Sequence, residues 1–334
     1  MAAKNRLKNQ FLYLSRSDIE SIGLGMGEII DLIALALKDR GLGRAEMPPK
    51  PGVHPGKAGN DNFLHAMPAY LPDRNTAGIK WVGGFPDNPT RGLPYITGLL
   101  ILNDPETGLP IAVMDCSWIT AMRTAAASAV ASRRLARKEP VTLAILGCGV
   151  QGRTHIEALR LAHPSLRRVH AFDIEPERTR QFVEEMRSLH PAIDWRGDPG
   201  PEEAVDGADI IITAAPIRKN PDPVIELAWL AEGALGIALD YDAYWKPELM
   251  RGVDRLVTDD IPQLLRTREE GYFLELPEID ADLGGIEAGK VPGRVSEVER
   301  ILCLNLGLAI YDIATAGRIL ELAREKGTGT YLDF

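Results

Sequence analysis

Three glycines at a fixed spacing point to nucleotide chemistry. Gly147, Gly149 and Gly152 directly follow an apolar run over 141–146, and helix-forming sequence comes after them. In a strand–turn–helix unit the first glycine makes the tight turn, the second lets the backbone approach a pyrophosphate, and the third lets the helix pack on the strand. Free N–H groups at the helix N-terminus then bind the phosphates. The spacing predicts a dinucleotide site, although a glycine-rich turn in another α/β unit could share it.

An acidic residue supports this interpretation. Asp173 ends the next apolar run, over 168–173, about 20 residues after Gly152, where a carboxylate binds the adenosine ribose. Such a carboxylate repels a 2′-phosphate, so we predict NAD(H) as the preferred cofactor. NADP(H) stays possible because Arg178 and Arg180 follow soon after. Four further residues are expected to contact the cofactor: Val150, Gln151, Thr124 and Ala214.

Two basic residues stand in apolar surroundings. Lys80 lies between Ile79 and Trp81 in a strand-like run, and Arg123 lies near the start of a long helix, before several small residues. A buried lysine is costly unless it is paired, and arginine suits bidentate carboxylate recognition. Both are candidates to bind a substrate carboxylate. The alternatives are that Lys80 faces solvent and that Arg123 forms an ordinary surface ion pair.

Two carboxylates end another apolar run. Asp240 and Asp242 follow the run over 234–239, and ligands of open parallel sheets lie outside the carboxyl ends of the strands. An acid there could exchange a proton with an amine, but both could also be turn residues, and Asp240 could cap the following turn. His65 titrates near neutrality and could act as acid or base, or it could be an ordinary strand histidine.

The elements that must position these residues follow two patterns. From residue 141 onward, apolar runs alternate with helical periodicity, which predicts a doubly wound parallel sheet. Its strands are predicted at 141–146, 168–173, 192–196, 209–214, 234–239 and 254–258, with helices at 152–162, 176–189, 202–206 and 260–269. The Asp259–Asp260 pair is expected to cap the last of these helices. The segment 296–326 is predicted to be helical.

The earlier part of the chain predicts a mixed or antiparallel sheet with a helix packed on it. Strands are predicted at 62–67, 77–83, 96–103 and 109–115, helices at 27–39 and 117–137, a helix start with capping-box spacing at 17–20, and an ordered loop at 43–60. The fold class is therefore α/β, a Rossmann-type doubly wound parallel sheet plus a smaller α+β domain.

Composition excludes several classes of function. Among 334 residues, 45% are hydrophobic and 25% charged, as in soluble globular proteins, and a net charge of −9 without a basic block argues against nucleic acid as main partner. No apolar run approaches the ~20 residues of a membrane span, and the first residues lack the apolar core of a signal peptide. Three widely spaced cysteines favour the cytoplasm. No histidine or cysteine spacing indicates a metal site.

Three blocks of sequence resemble the ornithine cyclodeaminase/mu-crystallin family. They are 78–86, the Arg-Thr-Ala-Ala block 123–128 before the glycine loop, and 239–249, supported by 305–312 and 326–329. The resemblance implies an NAD(P)-binding Rossmann domain, which we place at 127–307. It also implies a substrate-binding and dimerisation domain, which we place at 1–126 together with 308–334.

The resemblance also implies roles for single residues. Lys80 matches a lysine that contacts substrate, and Arg123 matches the arginine that binds the substrate carboxylate. Asp242 precedes Lys246 at the spacing of the family's catalytic aspartate block, which favours Asp242 over Asp240. Lys80 and Asp242 are therefore the expected catalytic residues. Lys50 stands where members often hold an arginine, and a solvated loop lysine is the alternative. His65 replaces the glutamate of ornithine-acting members, and this difference argues against ornithine as the substrate.

Together these expectations predict hydride transfer between a nicotinamide cofactor and the α-carbon of an amino or imino acid, in a cytoplasmic homodimer with no nucleic-acid or membrane partner. Ornithine cyclodeamination, in which ammonia is released without net redox change, is the alternative. A third possibility is a cofactor-dependent small-ligand binding protein, like the crystallin member of the family.

Overall fold

The computed structural model describes residues 10–56 and 60–333. The chain divides into two compact units, Met1–Arg123 with Leu308–Phe334, and Thr124–Gly307. Two expectations fall partly on residues outside the described ranges, namely the absence of a signal peptide at the N-terminus and positions 57–59 of the predicted loop over 43–60. No helix in the described ranges combines the length and the apolar character needed to cross a membrane.

The first unit is built on a mixed sheet, as predicted. Its described strands are β1 (Gln10–Leu14), β2 (Gly52–Val53), β3 (Phe63–Leu71), β4 (Thr76–Gly84), β5 (Ile96–Asn103), β6 (Pro110–Asp115) and β15 (Thr330–Asp333). They lie in the order β15-β1-β6-β5-β4-β3-β2, and among these described pairs only β1 and β6 run parallel.

One strand continues past its predicted end at residue 67. Pro68 lies within β3 and does not terminate it. The partner on one side, β2, pairs only with Leu64 and His65 of β3, so Pro68 stands where β3 has one long neighbour, and a missing N–H is tolerated at such an edge.

Helices cover one face of this sheet. They are α1 (Arg16–Ile22), α2 (Met26–Gly41), the start of α3 (Ser117–Leu135), and α10 (Ala309–Lys326). Helix α10 packs on α2 and against β3 and β4. The capping residue of α1 is Ser15, whose hydroxyl accepts the Asp18 N–H while the Asp18 carboxylate accepts the Ser15 N–H, so the expected start at Ser17 was two residues late.

The second unit is the predicted doubly wound sheet. Its described strands are β7 (Thr142–Leu146), β8 (Arg168–Phe172), β9 (Asp194–Gly197), β10 (Ile210–Thr213), β11 (Leu235–Ala238), β12 (Arg255–Thr258), β13 (Ala281–Asp282) and β14 (Ile301–Leu304). Every described neighbouring pair is parallel, in the order β13-β12-β14-β11-β10-β7-β8-β9. The strand order reverses between β7 and β10, and the carboxyl ends at such a switch point form a ligand crevice.

The prediction of helix throughout 296–326 was wrong at its start. Residues 301–304 form β14, which lies between β11 and β12, and α10 begins only at Ala309. All four residues of β14 are buried. A strand covered on both faces is apolar at every position, and periodicity cannot distinguish such a short run from a buried helical segment.

The helices of the second unit are the remainder of α3, α4 (Val150–Ala162), α5 (Pro176–Leu189), α6 (Pro201–Val205), α7 (Pro247–Gly252), α8 (Ile261–Glu269) and α9 (Leu283–Glu287). Asp260 caps α8 as expected, because its carboxylate accepts the Gln263 N–H. Asp259 instead accepts the Gly307 N–H.

A buried histidine joins α4, the helix after the glycine loop, to α3. His155 Nδ1 lies 2.7 Å from the Gln151 carbonyl oxygen, and Nε2 lies 2.9 Å from Ser128 Oγ. Since a carbonyl only accepts, Nδ1 carries the proton and Nε2 accepts from the serine hydroxyl. Burial lowers the pKa of His155 to about 4, so the imidazole is neutral in the folded protein.

This histidine makes stability depend on acidity. The folded pKa lies below the ordinary value of 6.5, so the unfolded chain binds more protons in that window. The contribution of His155 is complete above pH 6.5 and falls as pH drops toward 4, by about 2 kcal/mol at about pH 5. Urea unfolding of wild type and His155→Gln at about pH 7.5 and 5 checks this, since the variant should lose less stability on acidification. Equal losses would contradict the assignment.

Candidate active site

The glycine loop has the close contacts that the motif requires. Gly147 has φ +114°, and a Cβ there would lie 2.7 Å from the Ala214 carbonyl oxygen. A Cβ on Gly152 would lie 2.7 Å from the Gly147 carbonyl oxygen, whereas a Cβ on Gly149 would meet no described atom within 4 Å. The two outer glycines are therefore required by packing, and the middle one has open space beside it for a ligand.

Asp173 lies at the mouth of this loop. Its Oδ2 accepts the Cys148 N–H at 2.9 Å, and its Oδ1 accepts the Glu175 N–H at 3.1 Å. The half-buried carboxylate thus joins the loop after β7 to the turn after β8. Of the remaining predicted contacts, Val150 and Gln151 lie in the first turn of α4, Ala214 follows β10, and Thr124 lies on α3. A glycine loop at the start of a helix, with a carboxylate at the end of the next strand, fits an adenosine dinucleotide.

Asp240 connects two strand ends. It is fully buried, its Oδ1 accepts the Thr213 hydroxyl at 2.7 Å, and its Oδ2 accepts the Ala215 N–H at 2.8 Å. Trp245 Nε1–H donates to the same Thr213 hydroxyl at 2.9 Å. Burial raises the pKa of Asp240 to about 7. These contacts hold the turn after β10 against the end of β11.

Only one of the two carboxylate oxygens of Asp242 accepts a hydrogen bond from a described residue. Its Oδ2 accepts the Phe273 N–H at 3.2 Å, whereas its Oδ1 is buried without a hydrogen-bond partner among the described residues. Burial raises the pKa of this carboxyl above its usual value. Tyr241 and Phe273, on either side of it, have φ of 62° and 50°, a left-handed conformation that is strained for such residues and clusters at functional sites. A buried oxygen that lacks a hydrogen-bond partner and lies next to strained backbone is suited to accept a hydrogen bond from a ligand N–H.

In the first unit, two predicted cations meet one carboxylate. Lys80 is completely buried on the helix-covered face of β4, with Nζ 2.8 Å from Asp312 Oδ2 and 3.4 Å from Thr120 Oγ1. Arg123, 6% exposed, donates from Nε to Asp312 Oδ1 at 3.0 Å. Both the solvent-facing alternative for Lys80 and the surface ion pair for Arg123 are therefore wrong.

The cluster of Lys80, Arg123 and Asp312 carries one excess positive charge when all three are ionised. Burial and the neighbouring Arg123 charge lower the pKa of Lys80 to about 8, and Asp312 opposes this shift, so the lysine is mostly protonated at neutral pH. A buried excess charge is unfavourable unless a counterion joins it. One group with a single negative charge would balance the charge of the cluster.

His65 interacts electrostatically with both Lys50 and Lys80. Lys50 and His65 are both 8% exposed, and the His65 ring stacks on Phe63 with centroids 4.4 Å apart. Burial, with the charges of Lys50, His54 and Lys80, lowers the pKa of His65 to about 3. His65 is therefore a neutral imidazole at physiological pH, which disfavours it as the acid of the reaction.

Sequence reasoning missed two candidate residues. Asp312 lies in the first turn of α10, and the signal for it was indirect, since two buried cations require an anion somewhere in the chain. Asn305 follows β14 at the carboxyl edge of the second sheet, and its buried Nδ2 has no hydrogen-bond partner within the described ranges. Nothing in the sequence pattern distinguished either residue. No cluster of three or more metal-binding side chains occurs within those same ranges.

Known proteins are similar to this chain over almost its whole length. The nodulation efficiency protein NfeD of Rhizobium meliloti is 35% identical over 329 residues, 96% of this chain and 98% of the relative. The structure of Thermococcus litoralis Δ1-pyrroline-2-carboxylate reductase with NADH and L-proline is 33% identical, covers 96% of this chain and 99% of that one, and has a TM-score of 0.86. An archaeal alanine dehydrogenase dimer with bound NAD is 32% identical, with a TM-score of 0.85 and coverage of 97% and 99%.

A family model also matches almost the whole chain. The model described as the ornithine cyclodeaminase/mu-crystallin family matches residues 10–327, a span that includes both units and all of the residues discussed above. The chain therefore belongs to the ornithine cyclodeaminase/mu-crystallin family.

Proposed function

We propose that the protein is an NAD-dependent oxidoreductase that transfers a hydride between its cofactor and the α-carbon of an amino or imino acid. The observation that carries the proposal is the buried cluster of Lys80, Arg123 and Asp312, whose single excess positive charge matches one carboxylate. The reductase and dehydrogenase relatives, solved with NADH and NAD, support the cofactor and the reaction class.

Each unit has its own part in this proposal. The second unit holds the dinucleotide through Gly147, Gly149, Gly152 and Asp173, with Val150, Gln151, Thr124 and Ala214 as further contacts. The bound cofactor supplies or accepts the hydride, and the protein supplies orientation and charge.

The first unit binds the carboxylate. Asp312 and Thr120 occupy two of the three N–H groups of Lys80, and Asp312 occupies only Nε of Arg123. The third N–H of Lys80 and the terminal N–H groups of the Arg123 guanidinium remain to donate hydrogen bonds to the substrate carboxylate. Lys50 and His65 are the further proposed substrate-binding residues. Asp242 takes the proton from the substrate nitrogen when an amino acid is oxidised and returns it when an imine is reduced.

A panel of cyclic and linear α-imino acids and α-amino acids, assayed for NADH absorbance and for ammonia, tests the proposal. Steady, substrate-dependent change in NADH supports it. Ammonia release from ornithine without net NADH change would replace it with cyclodeamination. Tight ligand binding without turnover across the panel would indicate a binding protein instead.

We predict that NADH binds more tightly than NADPH. The Asp173 carboxylate repels a 2′-phosphate, and the nearby Arg178 and Arg180 are paired with Glu175 and Glu177. Fluorescence titration gives both dissociation constants, and Asp173→Asn should narrow the difference between them. A lower dissociation constant for NADPH with the wild-type protein would reject the prediction.

The face of the first sheet opposite its helices supports a homodimer. It presents apolar side chains that are exposed or half-buried, namely Tyr13, Ile79, Trp81, Leu99, Ile101 and Val113. Trp81 and Leu99 are cross-strand neighbours, 43% and 47% exposed. A contiguous apolar patch of this kind is typical of a protein–protein interface, and a second copy of this sheet is its proposed occupant.

We expect Leu99→Glu to convert the dimer to a monomer, because a charge buried in an apolar interface is strongly unfavourable. Leu189→Glu, at an apolar residue 62% exposed on α5, is the matched control and should leave the dimer intact. Sedimentation equilibrium at micromolar concentration measures both. A wild-type mass of 36.5 kDa would refute the dimer itself.

We also propose a cytoplasmic location. Cys116, Cys148 and Cys303 all lie in the described ranges, and all three are free and buried, as expected in a reducing compartment. A small amino or imino acid remains the proposed substrate, with no role assigned to nucleic acid or membrane.

A further inference from the structure

We propose that Asp312 is a positioning residue of this enzyme: it holds Lys80 and Arg123 together so that the two cations bind one substrate carboxylate as a unit. This inference rests on the proposed function, and it adds a residue that the sequence motifs did not single out.

The geometry gives Asp312 a role different from that of Asp242. Each of its oxygens faces one cation, Oδ2 toward Lys80 Nζ at 2.8 Å and Oδ1 toward Arg123 Nε at 3.0 Å. The side chain is completely buried. Because each oxygen is committed to one of the two cations, Asp312 acts through the residues it holds.

The helix that carries Asp312 is fixed relative to the strand that carries Lys80. Helix α10 packs against β3 and β4, and Ile310 and Ile313, on either side of Asp312 in sequence, are fully buried. The carboxylate therefore has little freedom to follow a moving lysine. It fixes the position of the lysine ammonium and leaves one N–H of that group for a ligand.

Charge gives the second part of the argument. Lys80 and Arg123 are two buried like charges, and the Arg123 charge disfavours the ionised form of the lysine. Burial and the Arg123 charge lower the pKa of Lys80, while the Asp312 charge and hydrogen bond, together with the neighbouring Cys116, raise it. Without Asp312 the lysine would release its proton at a lower pH, and the site would lose one of its two cations.

A simpler role for Asp312 is stabilisation of α10 alone, since a carboxylate in the first turn of a helix interacts favourably with the helix dipole. That role predicts a loss of stability and no change in the titration of the site. The two roles therefore differ in a quantity that can be measured directly.

The experiment compares Asp312→Asn with Thr315→Val in the full-length protein. Thr315 lies on the same helix, is fully buried, and donates its hydroxyl to the Tyr311 carbonyl oxygen, so its loss perturbs the helix without removing charge. Circular dichroism and thermal melting, measured first, establish that each variant is folded. Calorimetry then follows the affinity for pyrrole-2-carboxylate between about pH 6 and 9.5, with the uncharged pyrrole-2-carboxamide as the control ligand.

In the wild type we expect carboxylate affinity to decline as pH rises through about 8, the pKa of Lys80. In Asp312→Asn this decline should begin about one pH unit lower or more, because the lysine loses the anion that favours its protonated form. Thr315→Val should lower the melting temperature and keep the wild-type pH dependence. An unchanged pH dependence in Asp312→Asn would overturn the proposal.

Asp312→Glu keeps the inference testable if Asp312→Asn does not fold. The longer acid retains the charge, so it should preserve the pH at which affinity declines while weakening binding, because it displaces the two cations. A decline that moves as far as expected for the amide would overturn the proposal. Carboxylate binding is measured without turnover, so an inactive wild type that still binds the carboxylate would reject the proposed function and leave this test intact.

Discussion

Replacing Arg123 with methionine is expected to lower kcat/KM for the imino acid by roughly 10²–10³-fold, the range for removing one member of a buried charge pair. Arg123 and Lys80 share the carboxylate of Asp312. Without the guanidinium, one cation faces one anion, the excess positive charge disappears, and the substrate carboxylate has nothing to neutralise. The loss should fall mainly on KM, because the interaction is made to substrate as well as to the transition state.

Two variants provide the comparison. Arg133→Met changes an exposed arginine of the same helix and should leave kcat/KM near the wild-type value. Arg123→Lys restores the charge but not the planar fork, so it should recover only part of the loss. The dissociation constant for NADH should stay within about twofold in all three. If Arg123→Met retains wild-type KM, the carboxylate binds elsewhere and the proposed role of the cluster fails.

The second unit was largely predictable from sequence because its signals are local. A strand, a turn with forced glycine positions and a helix follow one another within a few residues, and Gly147 and Gly152 have the close backbone contacts that the motif requires. Each predicted strand between 141 and 258 is present, with its ends shifted by one or two residues. A helix was wrongly predicted at β14, since a four-residue buried run has no diagnostic period, and the short elements β13, α7 and α9 were not predicted.

The carboxylate-binding cluster could be predicted only in part, for a physical reason. Lys80 and Arg123 stand out because each is a charge in an apolar segment. Asp312 is 189 residues from Arg123, and its pairing depends on α10 returning to the first sheet at the end of the chain. Local pattern contains no information about such a contact. The burial of the lysine showed that a partner was needed and could not show which carboxylate it was.

The choice between the two acids at the end of β11 shows the same limit. Sequence placed Asp240 and Asp242 equally well, and only the resemblance favoured Asp242. In the structure, Asp240 accepts two hydrogen bonds, whereas Asp242 accepts one and keeps a buried oxygen open. This difference in hydrogen bonding allows the two residues to be separated by experiment.

Asp242→Asn is expected to lower kcat by roughly 10²–10⁴-fold, the usual contribution of general acid–base catalysis. The amide oxygen can still accept the Phe273 N–H, so the fold should be preserved. The amide cannot take up the proton of a substrate nitrogen. Stopped-flow measurement of NADH oxidation separates the chemical step from product release, and NADH affinity should be unchanged because Asp242 is proposed to contact the substrate.

Asp240→Asn is the matched control, since it makes the same change from carboxyl to amide two residues away. One amide oxygen cannot replace both carboxylate oxygens, so either the Thr213 hydroxyl or the Ala215 N–H loses its acceptor, at about 1–3 kcal/mol of stability. The turn after β10 contains Ala214, a proposed cofactor contact, so NADH affinity should weaken while kcat falls far less than in Asp242→Asn. If kcat fell more in Asp240→Asn than in Asp242→Asn, the acid–base role would belong to Asp240. Wild-type kcat in both variants would show that neither carboxyl at the end of β11 takes part in the reaction, and His65 would then be the next candidate. The pKa of His65 is about 3, so it would have to rise when a substrate carboxylate neutralises the neighbouring cations.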